Sequence, residues 1–119
     1  VKAEPMFERD GYDVTIHVPI TFSQAVLGDD VEVPTVDGRI VQHIPEGTQS
    51  GTKFRLRGQG IQYLNGRGRG DQYVIVDVEI PKKVTRAQRE ALKAFEDSMK
   101  ADNYEKRKGI FKNLRDRFS

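Results

Sequence analysis

Residues 12–57 read YDVTIHVPITFSQAVLGDDVEVPTVDGRIVQHIPEGTQSGTKFRLR, and this stretch decides the fold. Tyr12, Val14, Ile16 and Val18 alternate with Asp13, Thr15 and His17, the period-two pattern of a half-buried strand. A short helix is predicted next. Thr21 with Gln24 three residues on makes a capping box, since hydroxyl and amide each satisfy an orphan helix N–H, and Gly28 stands where a helix takes a left-handed terminator. Val31 and Val33 lead a strand into Asp37-Gly38, a pair that accepts positive φ in a tight hairpin, and Ile40, Val41 and Ile44 carry the return strand. After a loop of turn formers at residues 45–51, Phe54 and Leu56 alternate with Lys53, Arg55 and Arg57 in a strand with one basic face.

Toward the N-terminus, residues 1–11 are expected to be linker or the end of a preceding domain, with Asp10-Gly11 as a turn into the first strand. Val1 is not an initiator Met and no signal-peptide pattern follows it, so the chain is expected to be a piece of something longer. Toward the C-terminus, five glycines between Gly58 and Gly70 predict a mobile loop. The clearest strand comes next, with Val74, Val76, Val78 and Ile80 on one face, Tyr73, Ile75, Asp77 and Glu79 on the other, and Pro81 as its stop. Thr85 and Gln88 repeat the capping-box signal, opening a helix whose Ala91, Leu92, Phe95 and Met99 form one stripe and which fades near Asn103. A weaker helical pattern places Ile110, Phe111, Leu114 and Phe118 together. The expected organisation is a mainly-β domain over residues 12–83 and a helical arm over 84–119.

At 119 residues, 36% of them hydrophobic, the chain fits one domain with a small appendage. Mean hydropathy is −0.65, so the core is not a generous one. There is no Cys, hence no disulfide, no thiolate metal site and no support for an oxidising compartment. No apolar run approaches the roughly 18 residues of a membrane span. Charge is uneven: residues 1–81 hold 8 Lys/Arg against 12 Asp/Glu, and residues 82–119 hold 12 against 6. A basic arm on a mildly acidic body either contacts an anionic partner or is a solvated helix face.

Reactive groups are sparse. His17 and His43 lie in strand patterns without a visible convergent partner, so neither a metal site nor a general base is assembled. Asp29, Asp30 and Glu32 lack the spacing of a calcium loop and are expected to be solvated turn residues. Gly66-Arg67-Gly68-Arg69-Gly70 has the letters of an arginine–glycine segment for RNA, yet carries two arginines and only Tyr63 nearby for stacking; a turn before a strand is the simpler reading. No enzyme is expected. The terminal stripes either cap the domain's own core or pair with a second copy in a two-fold dimer; a membrane-surface helix is disfavoured by Asp116 within the second stripe.

The residues then meet a family. Phe7-Glu8-Arg9-Asp10-Gly11, Ala25-Val26-Leu27-Gly28, Val33-Pro34-Thr35-Val36-Asp37-Gly38, Ile44-Pro45-Glu46-Gly47-Thr48-Gln49-Ser50-Gly51, Phe54-Arg55-Leu56-Arg57-Gly58-Gln59-Gly60 and Gly70-Asp71 occur in order, and together they resemble the second C-terminal domain of the DnaJ family of J-domain co-chaperones. The resemblance covers residues 7–100. It implies a small two-layer β-sandwich or barrel-like domain with one short helix, followed by a C-terminal dimerisation helix or helices. By function it implies a cytoplasmic stress-response module that dimerises, binds unfolded or partly folded polypeptides and passes them to a DnaK-type ATPase chaperone. Carried over by position, client contact falls on Ile16, Val18 and Val33, the alternative being that these are ordinary core residues. The dimer seam falls on Leu92, Phe95 and Met99, with Phe111 and Leu114 helping to cover it. The chain lacks the His-Pro-Asp tripeptide of a J-domain and the Cys-rich repeats that hold zinc, so no cofactor is expected here, and neither nucleic acid nor membrane as a partner. The competing expectation is a nucleic-acid-binding module using the arginine–glycine loop and the basic tail.

Overall fold

In the computed structural model, residues 6–118 are described, with side chains described for residues 6–114. Their elements run β1 (Phe7–Asp10), β2 (Asp13–Ile20), α1 (Phe22–Leu27), β3 (Asp29–Thr35), β4 (Gly38–Ile44), β5 (Thr52–Leu56), β6 (Gln72–Val78), α2 (Arg86–Ser98), a 3-10 turn at Ala101–Asn103, and α3 (Glu105–Phe118). The chain divides into two compact units, residues 1–80 and 81–119.

In the first unit, β2 is the strand that the alternation promised. It is parallel to β6, from Val14 opposite Gln72 to Ile20 opposite Val78, and antiparallel to β1, with Phe7 opposite Ile16. Strand β5 runs antiparallel to β6 on the other side, giving the order β1-β2-β6-β5. The segment 1–11, expected as linker, thus contributes an edge strand over Phe7–Asp10, and Phe7 reaches the core. Ile80 lies beyond the end of β6 and is exposed, because pairing stops at Val78.

A separate two-stranded sheet pairs β3 with β4, Val33 opposite Ile40. Its turn differs from expectation. Thr35 pairs with Gly38, so the loop residues are Val36 and Asp37, and neither Asp37 nor Gly38 takes a positive φ. Both sheets contribute to one apolar cluster: Val14, Ile16, Ile20, Val74 and Val76 from the larger, Val33 and Ile44 from the hairpin, and Ala25 from α1. Each Val or Ile side chain so removed from water stabilises the fold by about 1.5–3 kcal/mol, before the opposing chain entropy. The result is mainly β and two-layered. The sheets do not close, so the barrel-like alternative does not hold.

Both capping boxes form. Thr21 and Gln24 exchange hydrogen bonds at 3.1 and 2.9 Å, as do Thr85 and Gln88 at 3.1 and 2.8 Å. Gly28 follows α1 with φ +80°, and a Cβ there would stand 2.8 Å from the Ile44 carbonyl oxygen. Glycine is required both by its backbone angle and by the close approach of the end of β4.

The glycine-rich segment is tied down. Ile61 N donates to Tyr12 O, Gly60 N to Gly70 O, and Gly70 N to Ile61 O, each at 2.9 Å, while Gln62 bridges Arg69. Tyr63 packs edge-on against Tyr12, ring centroids 5.0 Å apart. Expected as a mobile loop, the segment is a small hairpin laid against the start of β2.

In the second unit, α2 is thirteen residues long and has no buried residue. The 3-10 turn begins where fading was expected, with Lys100 N donating to Asn103 Oδ1 at 2.7 Å. The weaker second pattern is a full helix, α3, fourteen residues long.

Candidate functional site

The polar groups come first, since they decide whether chemistry is possible. His17 Nδ1 lies 2.8 Å from Asp77 Oδ2, and His43 Nδ1 lies 2.8 Å from Asp30 Oδ1. The sequence missed both partners: Asp77 lies far along the chain from His17, and Asp30 faces His43 across the β3–β4 hairpin, each pair brought together by strand register. Asp30, expected in a turn, is in β3, opposite His43. Each pair is exposed on a strand face. Among the described residues no three His, Cys, Asp or Glu side chains converge as a metal site, and the chain has no Cys for a zinc thiolate.

Asp71 is the most heavily engaged carboxylate. Gly58 N donates to it at 2.9 Å and Arg55 Nε at 2.8 Å, and these bonds hold its pKa below the usual carboxylate range, the Gly58 amide having the larger effect. The same contact raises the already high pKa of Arg55. Asp71 N in turn donates to Asp13 Oδ1 at 2.7 Å. The Arg-Gly-Asp letters at 69–71 are therefore a structural junction. Arg69 donates to Gly60 O at 3.0 Å and pairs with Asp37, and Tyr63 is packed on Tyr12. Arg69 and Tyr63 of the glycine-rich segment are thus engaged within the fold, while Arg67 and the described basic side chains of the arm stay exposed.

Apolar surface remains. The three expected client residues separate: Ile16 and Val33 are only 2% and 1% exposed and lie in the core, whereas Val18 is half-buried. Among the described residues, β2 is flanked by β1 and β6, and β3 pairs only with β4. Elsewhere in the first unit large apolar side chains are exposed, Leu64 (93%), Ile80 (72%), Leu27 on α1 (70%) and Val41 on β4 (61%) foremost. A hydropathy pattern reports which face is apolar and not whether a second layer covers it, so this distinction was not legible beforehand.

On the arm, Leu92 is 59% exposed, with Phe95, Phe111 and Leu114 also exposed and Met99 half-buried. Phe118 belongs to the same expected stripe, but its side chain lies outside those described. A helix of this length is marginal alone in water and gains most of its stability from burying an apolar face. Where α2 ends and α3 begins, Met99, Tyr104, Arg107 and Phe111 line a cleft of about 340 Å³, with Arg107 stacked over Phe111 at 5.0 Å. No helix among the described residues is long and apolar enough to cross a membrane. Each unit by itself thus offers exposed apolar surface.

Residues 1–81 match the family model described as DnaJ C terminal domain. Similar proteins include the chaperone protein DnaJ of Ruminiclostridium cellulolyticum, 51% identical over 118 residues that make up 99% of this chain and 31% of that protein. The chaperone protein DnaJ of Acetivibrio thermocellus is 49% identical over 116 residues, 98% of this chain and 30% of its own length. That of Clostridioides difficile is 49% identical over 118 residues, 99% of this chain and 31% of its own. The chain spans about a third of the length of these relatives.

Proposed function

The chain belongs to the DnaJ C-terminal domain family, and from that membership we propose that it is a non-enzymatic co-chaperone module of the cytoplasm, one that dimerises through α2 and α3 and holds unfolded or partly folded polypeptides for a DnaK-type chaperone. The observation that carries the proposal is the arm: α2 has a well-separated apolar stripe and not one buried residue. Such a face reaches stability by covering itself, and a two-fold dimer is the simplest closed way to do so. Leu92, Phe95 and Met99 supply the seam, with Phe111 and Leu114 beside it.

Client contact uses Val18 as the accessible part of a surface whose floor is Ile16 and Val33, with an extended segment added along a strand edge. Two modest sites held in one dimer raise the effective concentration for the second contact. No cofactor enters this scheme, and neither nucleic acid nor membrane is a partner in it. Sedimentation of the chain beside Leu92→Glu tests the arm. A dimer that the substitution converts to a folded monomer supports the proposal, and a wild-type monomer at all concentrations refutes it.

A further inference from the structure

The β3–β4 hairpin stands apart from the rest of its unit. Among the described residues, no backbone hydrogen bond joins Asp29–Ile44 to the four-stranded sheet. Internally it is well braced, by the full ladder, by Arg39 Nε on Glu32 at 2.9 Å and by His43 on Asp30 at 2.8 Å. Externally its polar ties are few. At the base, Gln24 Nε2 reaches Asp29 Oδ2 at 3.2 Å, beside the positive-φ Gly28. Near the tip, Gln72 Nε2 donates to Pro34 O at 2.8 Å, and Arg69 pairs with Asp37. The rest of the attachment is apolar packing, chiefly Val33 and Ile44 against the larger sheet.

Gln72 has a second feature. It is fully buried, and no donor among the described residues reaches its Oε1. A buried carbonyl oxygen without a partner penalises the closed arrangement and favours any state that wets it. The face covered by the hairpin is the one that carries Ile16, 2% exposed.

We propose that the β3–β4 hairpin is a flap, latched near its tip by Arg69, Asp37 and Gln72, whose opening admits an extended apolar segment of a non-native chain to the face of Ile16 and Val33. This rests on the client-binding reading above and gives that site a gate. The hairpin moves as one braced piece about Gly28 and the loop after Ile44, and the closed form is the resting one. The arginine of the glycine-rich segment acquires a role: it grips Gly60 with one nitrogen and the hairpin tip with another.

Native-state hydrogen exchange on the full chain, with Asp37→Asn and Arg69→Gln beside wild type, decides it. An exposed ion pair removed from the closed state speeds local opening by roughly two- to fivefold. The expected result is faster exchange at the paired amides of β3 and β4, unchanged exchange at Val14 and Val74, and a matching rise in capture of a chemically denatured model protein. Exchange of hairpin amides at the same rate as those of β6, in wild type and variants alike, overturns the flap. Faster hairpin exchange without a rise in capture overturns the gate. Should wild type capture nothing at all, the client-binding reading fails, while the exchange rates still decide whether the flap exists.

Discussion

Replacing Gly70 by Ala tests the core of the structural account. Its φ is not positive, so the backbone angle itself tolerates alanine, and the objection is purely one of space. A Cβ at this position would lie 2.0 Å from the Tyr12 carbonyl oxygen, 2.4 Å from its carbon and 2.8 Å from Asp13 Oδ1. Two of the three are backbone atoms held by the start of β2, so neither side can yield cheaply. Overpacking of this kind costs about 1–3 kcal/mol. Recoil of the segment also loosens Gly60 N to Gly70 O and Ile61 N to Tyr12 O, each contributing about 1 kcal/mol net. Roughly 3–5 kcal/mol is a large part of the 5–15 kcal/mol available to a small domain. At about 4–8 °C per kcal/mol, the melting temperature should fall by more than about 12 °C. Gly38→Ala is the control: nothing lies within 4 Å of its added Cβ and its φ is not positive, so its effect should stay within about 0.5 kcal/mol. Urea and thermal melts of both variants by circular dichroism read the difference. If Gly70→Ala is as stable as Gly38→Ala, the glycine-rich segment is not laid against Tyr12, and the structural reading of Arg69 falls with it.

Leu92→Glu places a charge at the centre of the proposed seam and should weaken self-association by at least roughly thirtyfold, measured by sedimentation equilibrium. Thr85→Ala removes the N-cap of α2 and should lower helix stability by about 1 kcal/mol, seen as lost helical ellipticity with the β-domain transition unchanged. Asp71 titrates below its unfolded value, so its stabilisation is fully present above the unfolded carboxylate pKa and is lost as pH falls through the lower, folded one. Acid titrations should therefore show Asp71→Asn losing less stability than wild type across that window; identical curves would remove Asp71 from the account.

What was legible in the sequence was local. Alternation at Val14, Ile16 and Val18 found β2, two Thr–Gln pairs found the starts of α1 and α2, and the stripe of Leu92, Phe95 and Met99 found the apolar face of the arm. What escaped required distant partners. His17 and Asp77 meet because β2 and β6 are parallel in one register, and nothing near either residue announces it. Gly60 and Gly70 read as entropy, yet they mark places where backbone approaches backbone. Ile16 and Val33 have the apolar character of a groove and equally that of a core, and only the second sheet layer separates the two. Gln72 looks like an ordinary polar residue at a strand start, and its burial follows from the hairpin lying over it.

In the proposed function apolar surface, and not charge, holds the non-native chain. Suppression of aggregation of a denatured model protein, titrated with the chain at low and at high salt, addresses it directly. Substoichiometric-to-equimolar protection, nearly the same at both salt levels, is expected, because burial of apolar area is little screened. Protection that is absent, or that collapses as salt rises in the manner of phosphate-contact binding, would contradict it.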